Sequence, residues 1–579
     1  MAKIANFIKS VCTSIGAIIL ICLLITMLVQ LYGGNGVNIP KHTMLTIDFS
    51  HNFGEQTGDG LVDELLGRQG MRLTDLIKSI EMSGEDDRID GIVARLDVSE
   101  LELAQIQDIA KAIEGFRAKG KKTYVFSQGF GPFGQGNREY YLATFFEKIY
   151  MQPHTTIGLT GIAIELPFAR NILDKIGVYP EFYTRYEYKT AMMSFTDKNI
   201  SSAYHEEMSR LGNSLMNELK NGITRNRNIS ENISDIINQA PLSAERGKEL
   251  NLIDDIMYLP EAETKIKKDG AENFVSIEDY ATQVRPNSGD LPTIVVLNLS
   301  GIINSGENST DIDGQMLIGS QSIAADLAEI EEMENLKALV VRIDSPGGSY
   351  NAADEIYFAI KHLRNKKKIP VVVSQSGYAA SGGYFISLAG DVIVAEPTTI
   401  TGSIGVLGGK FVLQDLWNKL EINWADIKFG QNAGILSANR AFSDEEKKIF
   451  NASLDDVYQD FTAKVSENRK LKADIEKVAR GRVWTGREAL RLGLIDKLGS
   501  LSTAIGEAKN LANIEPNTKL KIVEYPREKS FSEKLRDLVM QSQVNPADIF
   551  VKSGVDIRYL KLFKRLQYDT VLLPFIVNM

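Results

Sequence analysis

Two stretches in the C-terminal half of the chain hold the residue types that acyl-transfer chemistry needs. One reads Asp344-Ser345-Pro346-Gly347-Gly348-Ser349; the other, residues 374–384, reads SQSGYAASGGY. Each follows a β-branched run and leads into a helical pattern. The paired glycines let the backbone approach a ligand closely. The N–H groups of Gly347, Gly348 and Gly382, near helix starts, are suited to holding an oxyanion. Ser381 falls between a buried strand and a helix N-terminus, where a nucleophile would sit. Its surroundings, Ala379-Ala380-Ser381-Gly382-Gly383, lack the first glycine of G-x-S-x-G, so an α/β-hydrolase elbow is not expected. A seryl hydroxyl needs a base. Of the five histidines only His362 lies in this half, beside Arg364 and Lys366–Lys368 on what reads as a solvated helix end. A Ser-His-Asp triad is poorly supported, and the known alternative pairs serine with lysine. The two cysteines, Cys12 and Cys22, both lie in an apolar N-terminal run. A thiol nucleophile, a disulfide framework and a Cys-based metal site are therefore not expected. No metal-ligand spacing stands out, and the glycine-rich loop Gly129–Gly136 lacks the Lys-Ser/Thr of a phosphate loop. No cofactor is expected.

The elements around these stretches alternate. Strand patterns fall at Thr293–Leu299, Ala338–Ile343, Pro370–Ser374 and Asp391–Ala395. Helical patterns fall at Ser320–Glu334, Ala352–Leu363 and Ser381–Leu388. Strands separated by helices predict βαβ units and a largely parallel sheet. Sites in such sheets form at the C-terminal ends of strands, where both loops lie.

The same unit occurs twice. IDGIVARLD at 89–97 matches LKALVVRID at 336–344. TTIGLTG at 155–161 matches TTITGSIG at 398–405, and AERGKELNLIDDI at 244–256 matches GREALRLGLIDKL at 486–498. The displacements are 247, 243 and 242 residues (344 − 97, 398 − 155, 498 − 256). That period is too long for a solenoid and reads as domain duplication. QVRPNSGDLP at 283–292 is a linker pattern. The expected division is a first domain at 41–282, a second at 293–499 and a C-terminal extension at 500–579. In that extension, basic and apolar residues alternate from Ile557 to Leu566, a pattern suited to a membrane surface or, the favoured expectation, to docking on the body of the protein.

With 579 residues, more than one core is expected. A net charge of −10 argues against a nucleic-acid surface. The first 41 residues carry three lysines and no acid. From Val11 to Leu31 the chain is apolar apart from Thr13, Ser14, Thr26 and Gln30. That is the length a helix needs to span a bilayer. The expectation is a short cytoplasmic N-terminus (1–10) and a transmembrane anchor (11–32), with the preceding lysines keeping the N-terminus inside. Gly34-Asn35-Gly36 is a weak match to a signal-peptide cleavage site, so a retained anchor is favoured.

The segments VVRIDSPGGSYNAADEI, SQSGYAASGGYFIS and TTITGSIGVLG resemble the signature of the SppA-type signal peptide peptidases (protease IV). Duplication plus anchor is similar to their long form, over roughly residues 11–525. The resemblance implies two tandem crotonase/ClpP-like α/β domains behind an N-terminal transmembrane helix. It implies Ser381 as nucleophile and, as general base, a lysine in a Y-K-[ST]-A segment, here Tyr188-Lys189-Thr190-Ala191. It also implies that Ser403 hydrogen-bonds that lysine. The repeat agrees: Lys189 shifted by 242 falls on Gln431, and Ser381 shifted back by 247 falls on Gly134. Each copy lacks what the other keeps, so one composite site per chain is expected. Burial would let Lys189 act as a base by disfavouring its ammonium, with Met192, Met193 and Phe195 as candidate lining. The resemblance further implies a homo-oligomer, a tetramer, on the periplasmic face of a bacterial inner membrane. There it would degrade cleaved signal peptides and other apolar peptides. A crotonase-like thioester enzyme and a non-catalytic membrane scaffold are the alternatives.

Overall fold

The computed structural model describes residues 38–56, 70–131, 134–283, 291–310, 315–515 and 518–527. The expected anchor, the centre of the linker and the basic C-terminal pattern lie outside the described residues. Among those described, no helix is long and apolar enough to cross a membrane.

The first half supplies strands β1 (Thr43–Asp48), β2 (Ile89–Arg95), β3 (Lys122–Ser127), β4 (Lys148–Met151), β5 (Tyr179–Arg185), β6 (Asp255–Ile256) and β7 (Asn273–Ser276). Six of them form a parallel sheet in the order β6-β4-β3-β2-β1-β7. The second half supplies β8 (Thr293–Ser300), β9 (Leu336–Ser345), β10 (Val371–Ala380), β11 (Val392–Ala395), β12 (Ile400–Gly402), β13 (Val406–Val412), β14 (Val483–Thr485), β15 (Lys497–Leu498) and β16 (Lys521–Tyr525). Here the parallel order is β15-β11-β10-β9-β8-β16. The two orders are the same, strand for strand, which gives the internal repeat its structural form. Beyond the first pairing, β12 continues alongside the end of β10 and pairs antiparallel with β14. The helices used below are α1 (Leu103–Ala118), α2 (Arg170–Ile176), α3 (Ser202–Arg227), α4 (Tyr350–Lys367), α5 (Gly382–Ser387), α6 (Gln414–Lys419), α7 (Asp444–Asn468) and α8 (Leu501–Leu511).

Parallel strands covered on both faces read as continuous apolar runs, and β8, β9 and β10 do. Alternate residues divide between two cores. Val295, Leu297, Val341 and Val373 pack with Ile356 and Ile360 of α4. Ile294, Val296, Val340 and Val372 pack with Leu501, Ala504 and Ala508 of α8. Burying each Val, Leu or Ile side chain among these contributes about 1.5–3 kcal/mol relative to exposure.

Two sequence expectations change. The boundary expected at residue 499 moves outward, because α8 covers one face of the second sheet and β16 pairs with β8 from Thr293↔Lys521 to Leu297↔Tyr525. That pairing repeats the one between β7 and β1 in the first half. The third strand, expected to end at Ser374, runs on to Ala380. The polar stretch Ser374–Gly377 hides the continuation, which depends on a register shift after Ile343 and on a second partner, β12.

A strand pairing and a buried ion cluster are among the contacts that join the halves. Strand β5 of the first half pairs antiparallel with β13 of the second, from Val406↔Arg185 to Val412↔Tyr179. Arg342, buried in β9, donates to Glu55 and to Asp108 of α1 in the first half, and to Ser374 and Ser376 in its own.

Candidate active site

Ser381 occupies the corner between β10 and α5 with φ 55° and ψ −114°, a conformation that costs a non-glycine residue of order 1–3 kcal/mol. The corner is held on both sides: Ser381 N–H donates to the Gly402 carbonyl, and Phe385 N–H to the Ser381 carbonyl, both at 2.8 Å. The side chain is fully buried. Lys189 follows β5, so the β5–β13 pairing carries it across to the second half. Its Nζ lies 2.8 Å from Ser381 Oγ, 2.9 Å from Ser403 Oγ and 3.0 Å from the Ser403 carbonyl oxygen. A neutral amine has two N–H groups and one lone pair. These three contacts use all of them if Ser381 donates its hydroxyl proton to the lone pair.

The second half also grips the lysine backbone. The N–H groups of Tyr186 and Tyr188 donate to the Arg480 carbonyl. Gly481 has φ +91°, and a Cβ there would lie 2.4 Å from Lys189 N, so this close approach requires glycine. The Arg482 guanidinium stacks 3.7 Å over the Tyr188 ring, and its carbonyl accepts from Ser403 N–H at 2.6 Å. Ser403 is itself in the left-handed region, at φ 52°.

Burial brings the Lys189 ammonium down to about 7, with the Glu207 carboxyl acting in the opposite sense. Of the residues expected to line it, Met192 and Phe195 join an inter-half apolar cluster with Leu407 and Phe411. Met193 turns into the first-half core. Glu207, on α3, was not anticipated. Its Oε1 accepts from Val483 N–H at 2.8 Å, while Oε2 is buried without a hydrogen-bond partner. Burial pushes its carboxyl up to about 8. The signal was present in the sequence: Glu207 sits on the stripe of α3 that also carries Leu211 and Leu215, where an apolar residue belongs.

The paired-glycine turn lies against Ser381. Ile303 N–H donates to the Gly347 carbonyl, and Ser349 N–H to the Ile303 carbonyl. Gly348 has φ +154°, and a Cβ there would stand 2.0 Å from the Ile303 carbonyl oxygen. Gly348 N is only 3.4 Å from where a Cβ on Gly382 would be. The Gly347 N–H is already engaged by Ser345 Oγ at 3.2 Å, so Gly347 shapes the turn and is not an available donor. Asp344 ties the two stretches together by accepting from Tyr378 N–H at 2.9 Å. Burial, aided by the Glu55 charge, raises its carboxyl to about 7. Sequence reasoning also passed over Arg342, a lone cation inside the apolar run of β9. At the counterpart positions, Gln431 is an exposed turn residue and Gly134 is a loop glycine.

A seryl hydroxyl on a strained strand–helix corner, within reach of a buried amine and beside a glycine turn, has the parts of a covalent hydrolase. Residues 116–272 and 363–515 both match the model of peptidase family S49, one match in each half, and residues 310–399 match that of Clp protease. The chain is 32% identical to "Serine protease SPPA, chloroplastic" of Arabidopsis thaliana, over 80% of this chain and 70% of that one. It is 30% identical to "Protease 4" of Haemophilus influenzae, over 77% and 74% of the two chains. With "Protease 4" of Salmonella typhi it shares 28% identity over 89% and 85%. The chain belongs to peptidase family S49 and is a serine protease.

Proposed function

We propose that the chain is a membrane-anchored endopeptidase that uses a Ser381–Lys189 dyad, one residue from each half, to degrade apolar peptides. The observation that carries this reading is the 2.8 Å approach of Lys189 Nζ to Ser381 Oγ with both side chains buried. Neutral Lys189 takes the Ser381 proton as Oγ attacks the peptide carbonyl carbon. The N–H groups of Gly348 and Gly382 hold the oxyanion. Collapse breaks the C–N bond, and the Lys189 ammonium returns its proton to the leaving amine. Water, deprotonated by the same amine, then releases the acyl group. Ser403 orients Lys189 throughout.

A relative in Enterococcus faecium named "Putative signal peptide peptidase SppA", 29% identical over 40% of this chain, supports cleaved signal peptides as the substrate class. An anchor at 11–32 with the catalytic halves on the periplasmic side would confine enzyme and substrate to one membrane and raise their effective concentration. A homo-oligomer, a tetramer, is the assembly proposed. The test is cleavage of an unstructured apolar peptide by detergent-purified protein. Ser381→Ala and Lys189→Met are each expected to lose roughly a thousandfold or more in kcat/KM while keeping wild-type circular dichroism. Substantial cleavage by folded Ser381→Ala would remove the nucleophile assignment.

A further inference from the structure

Gly348 follows β9 and Ser381 follows β10, so the oxyanion site needs something that sets one strand end against the other. Near the site those strands do not keep step. From Ile343↔Gln375 to Ser345↔Ala379, β9 advances two residues (345 − 343) and β10 four (379 − 375). An irregularity of this kind re-aims the residues beyond it, here the Ser381 corner. Asp344 lies opposite the extra residues and directly precedes Ser345-Pro346-Gly347-Gly348. Its Oδ1 accepts from Tyr378 N–H at 2.9 Å, and its Oδ2 from the Gln105 side-chain amide at 3.4 Å. Its carbonyl accepts from Gly301 N–H at 3.0 Å.

The first copy contains the same device, wired differently. Arg95-Leu96-Asp97 corresponds to Arg342-Ile343-Asp344 (342 − 247 = 95; 344 − 247 = 97). Asp97 Oδ1 accepts from Gln128 N–H at 2.6 Å, joining the chain after β2 to the chain after β3. There Arg95 turns to Asp97, at 2.7 Å. In the second copy Arg342 is taken instead by Glu55 and Asp108 of the first half. Asp344 is braced by the first half's own counterpart of the glycine-turn region. Glu102 and Gln105 correspond to Ser349 and Ala352 (349 − 247 = 102; 352 − 247 = 105), and in each copy these residues open a helix, α1 or α4. Glu102 N–H donates to Gln105 Oε1 at 3.0 Å, which aims the Gln105 amide nitrogen at Asp344 and Glu55. Gly377 leaves room for this approach: a Cβ there would lie 3.1 Å from Asp344 Oδ1 and 3.2 Å from Glu102 Cβ.

We propose that Asp344 is a positioning residue for peptide cleavage: bonded to Tyr378 N–H and braced by Gln105 of the first half, it fixes the Gly348 N–H relative to Ser381 Oγ. It acts through the backbone of the two strand ends. A donor displaced by a fraction of an ångström still leaves the peptide bound but no longer meets the oxygen where its charge develops. The half without the nucleophile thereby contributes a brace for the oxyanion site in addition to Lys189. The inference rests on the proposed oxyanion role of Gly348 and names the groups that hold that donor in place.

The test uses the full chain in detergent and two readouts, cleavage of an apolar peptide and inhibition by a peptide aldehyde. Ser381 Oγ adds to the aldehyde carbon, its proton passing to Lys189, and the resulting tetrahedral oxygen occupies the oxyanion position. Asp344→Ala is expected to lower kcat roughly 10- to 100-fold with KM little changed, and to weaken aldehyde binding by a similar factor. Asp344→Asn keeps an oxygen acceptor for Tyr378 N–H and is expected to stay within about threefold of wild type in both readouts. Gln105→Ala leaves the Tyr378 bond in place and is expected to lower kcat roughly threefold or more, again with KM unchanged. It decides the matter if circular dichroism shows Asp344→Ala to be unfolded. A folded Asp344→Ala protein that cleaves like wild type overturns the proposal. So does an Asp344→Asn protein as impaired as Asp344→Ala, a loss carried by KM alone, or an unchanged kcat in Gln105→Ala. A wild-type chain that neither binds the aldehyde nor labels at Ser381 with a fluorophosphonate removes the dyad reading and this inference with it. With both intact in the wild type, a failure falls on Asp344 alone.

Discussion

Lowering the pH from 8 to 6 is expected to cut kcat/KM for peptide cleavage about tenfold. The rate depends on the proton on Lys189. A lysine at its ordinary value of 10.5 is neutral in about one molecule in 3,000 at pH 7, too rare to serve as a base. Burial brings Lys189 to about 7. About nine-tenths of the enzyme then carries a neutral amine at pH 8, half at pH 7 and about one-tenth at pH 6. Only the neutral amine can take the Ser381 proton, so activity falls as pH falls through 7. Glu207 provides a second lever. As an anion it holds the proton on Lys189, so Glu207→Gln is expected to move the midpoint to lower pH. Because its own carboxyl is pushed up to about 8 and is mostly neutral below that, the displacement is expected to stay within about one pH unit. The assay is initial-rate cleavage of a quenched fluorescent apolar peptide between pH 5 and 9.5, with circular dichroism at each pH. A flat profile from 6 to 8, or a midpoint near 10, would refute the buried-base argument. A midpoint moved upward by Glu207→Gln would refute the electrostatic part alone.

Three further outcomes follow from the geometry. Ser403→Ala removes one of the two groups that orient the amine and is expected to lower kcat/KM by roughly 10- to 100-fold at pH 8, with substrate KM little changed. Gly348→Ala would place a methyl group against the Ile303 carbonyl at a backbone angle that side chains rarely adopt. A loss of about 2 kcal/mol or more by urea denaturation is expected, together with lost activity. Arg342→Met leaves Glu55 and Asp108 buried without their cation. It is expected to cost about 3–5 kcal/mol at neutral pH, measured the same way, and part of that loss should be recovered by adding Glu55→Gln.

Much of the site was legible in the chain because its parts are local. A β-branched run, a short glycine-containing stretch and a helical pattern place Ser381 on a corner whatever surrounds it. The PGG turn carries its own backbone requirement at Gly348. The duplication was readable too, since two copies keep the same apolar periods and the same turn residues at nearly constant displacement. Lys189 is different. Nothing in its immediate neighbours separates it from other lysines, and it was reached only through the family resemblance and the repeat. The extension of β10 to Ala380 and the addition of β16 to the second sheet were hidden because strand pairing can override weak local patterns.

Residue pattern alone marked Ser381 as the candidate nucleophile and gave the glycine turn, the parallel α/β class and the twofold repeat, because each depends on interactions spanning a few residues. Tertiary structure decided what crosses between the halves. The β5–β13 pairing sets Lys189 beside Ser381, the Arg480–Val483 segment grips the lysine backbone, and Glu207 reaches the site from α3. Arg342 finds its carboxylates only across the interface. The physical reason is that a base is made by desolvation. Desolvation depends on which distant surfaces close over the amine, and no local sequence pattern records that.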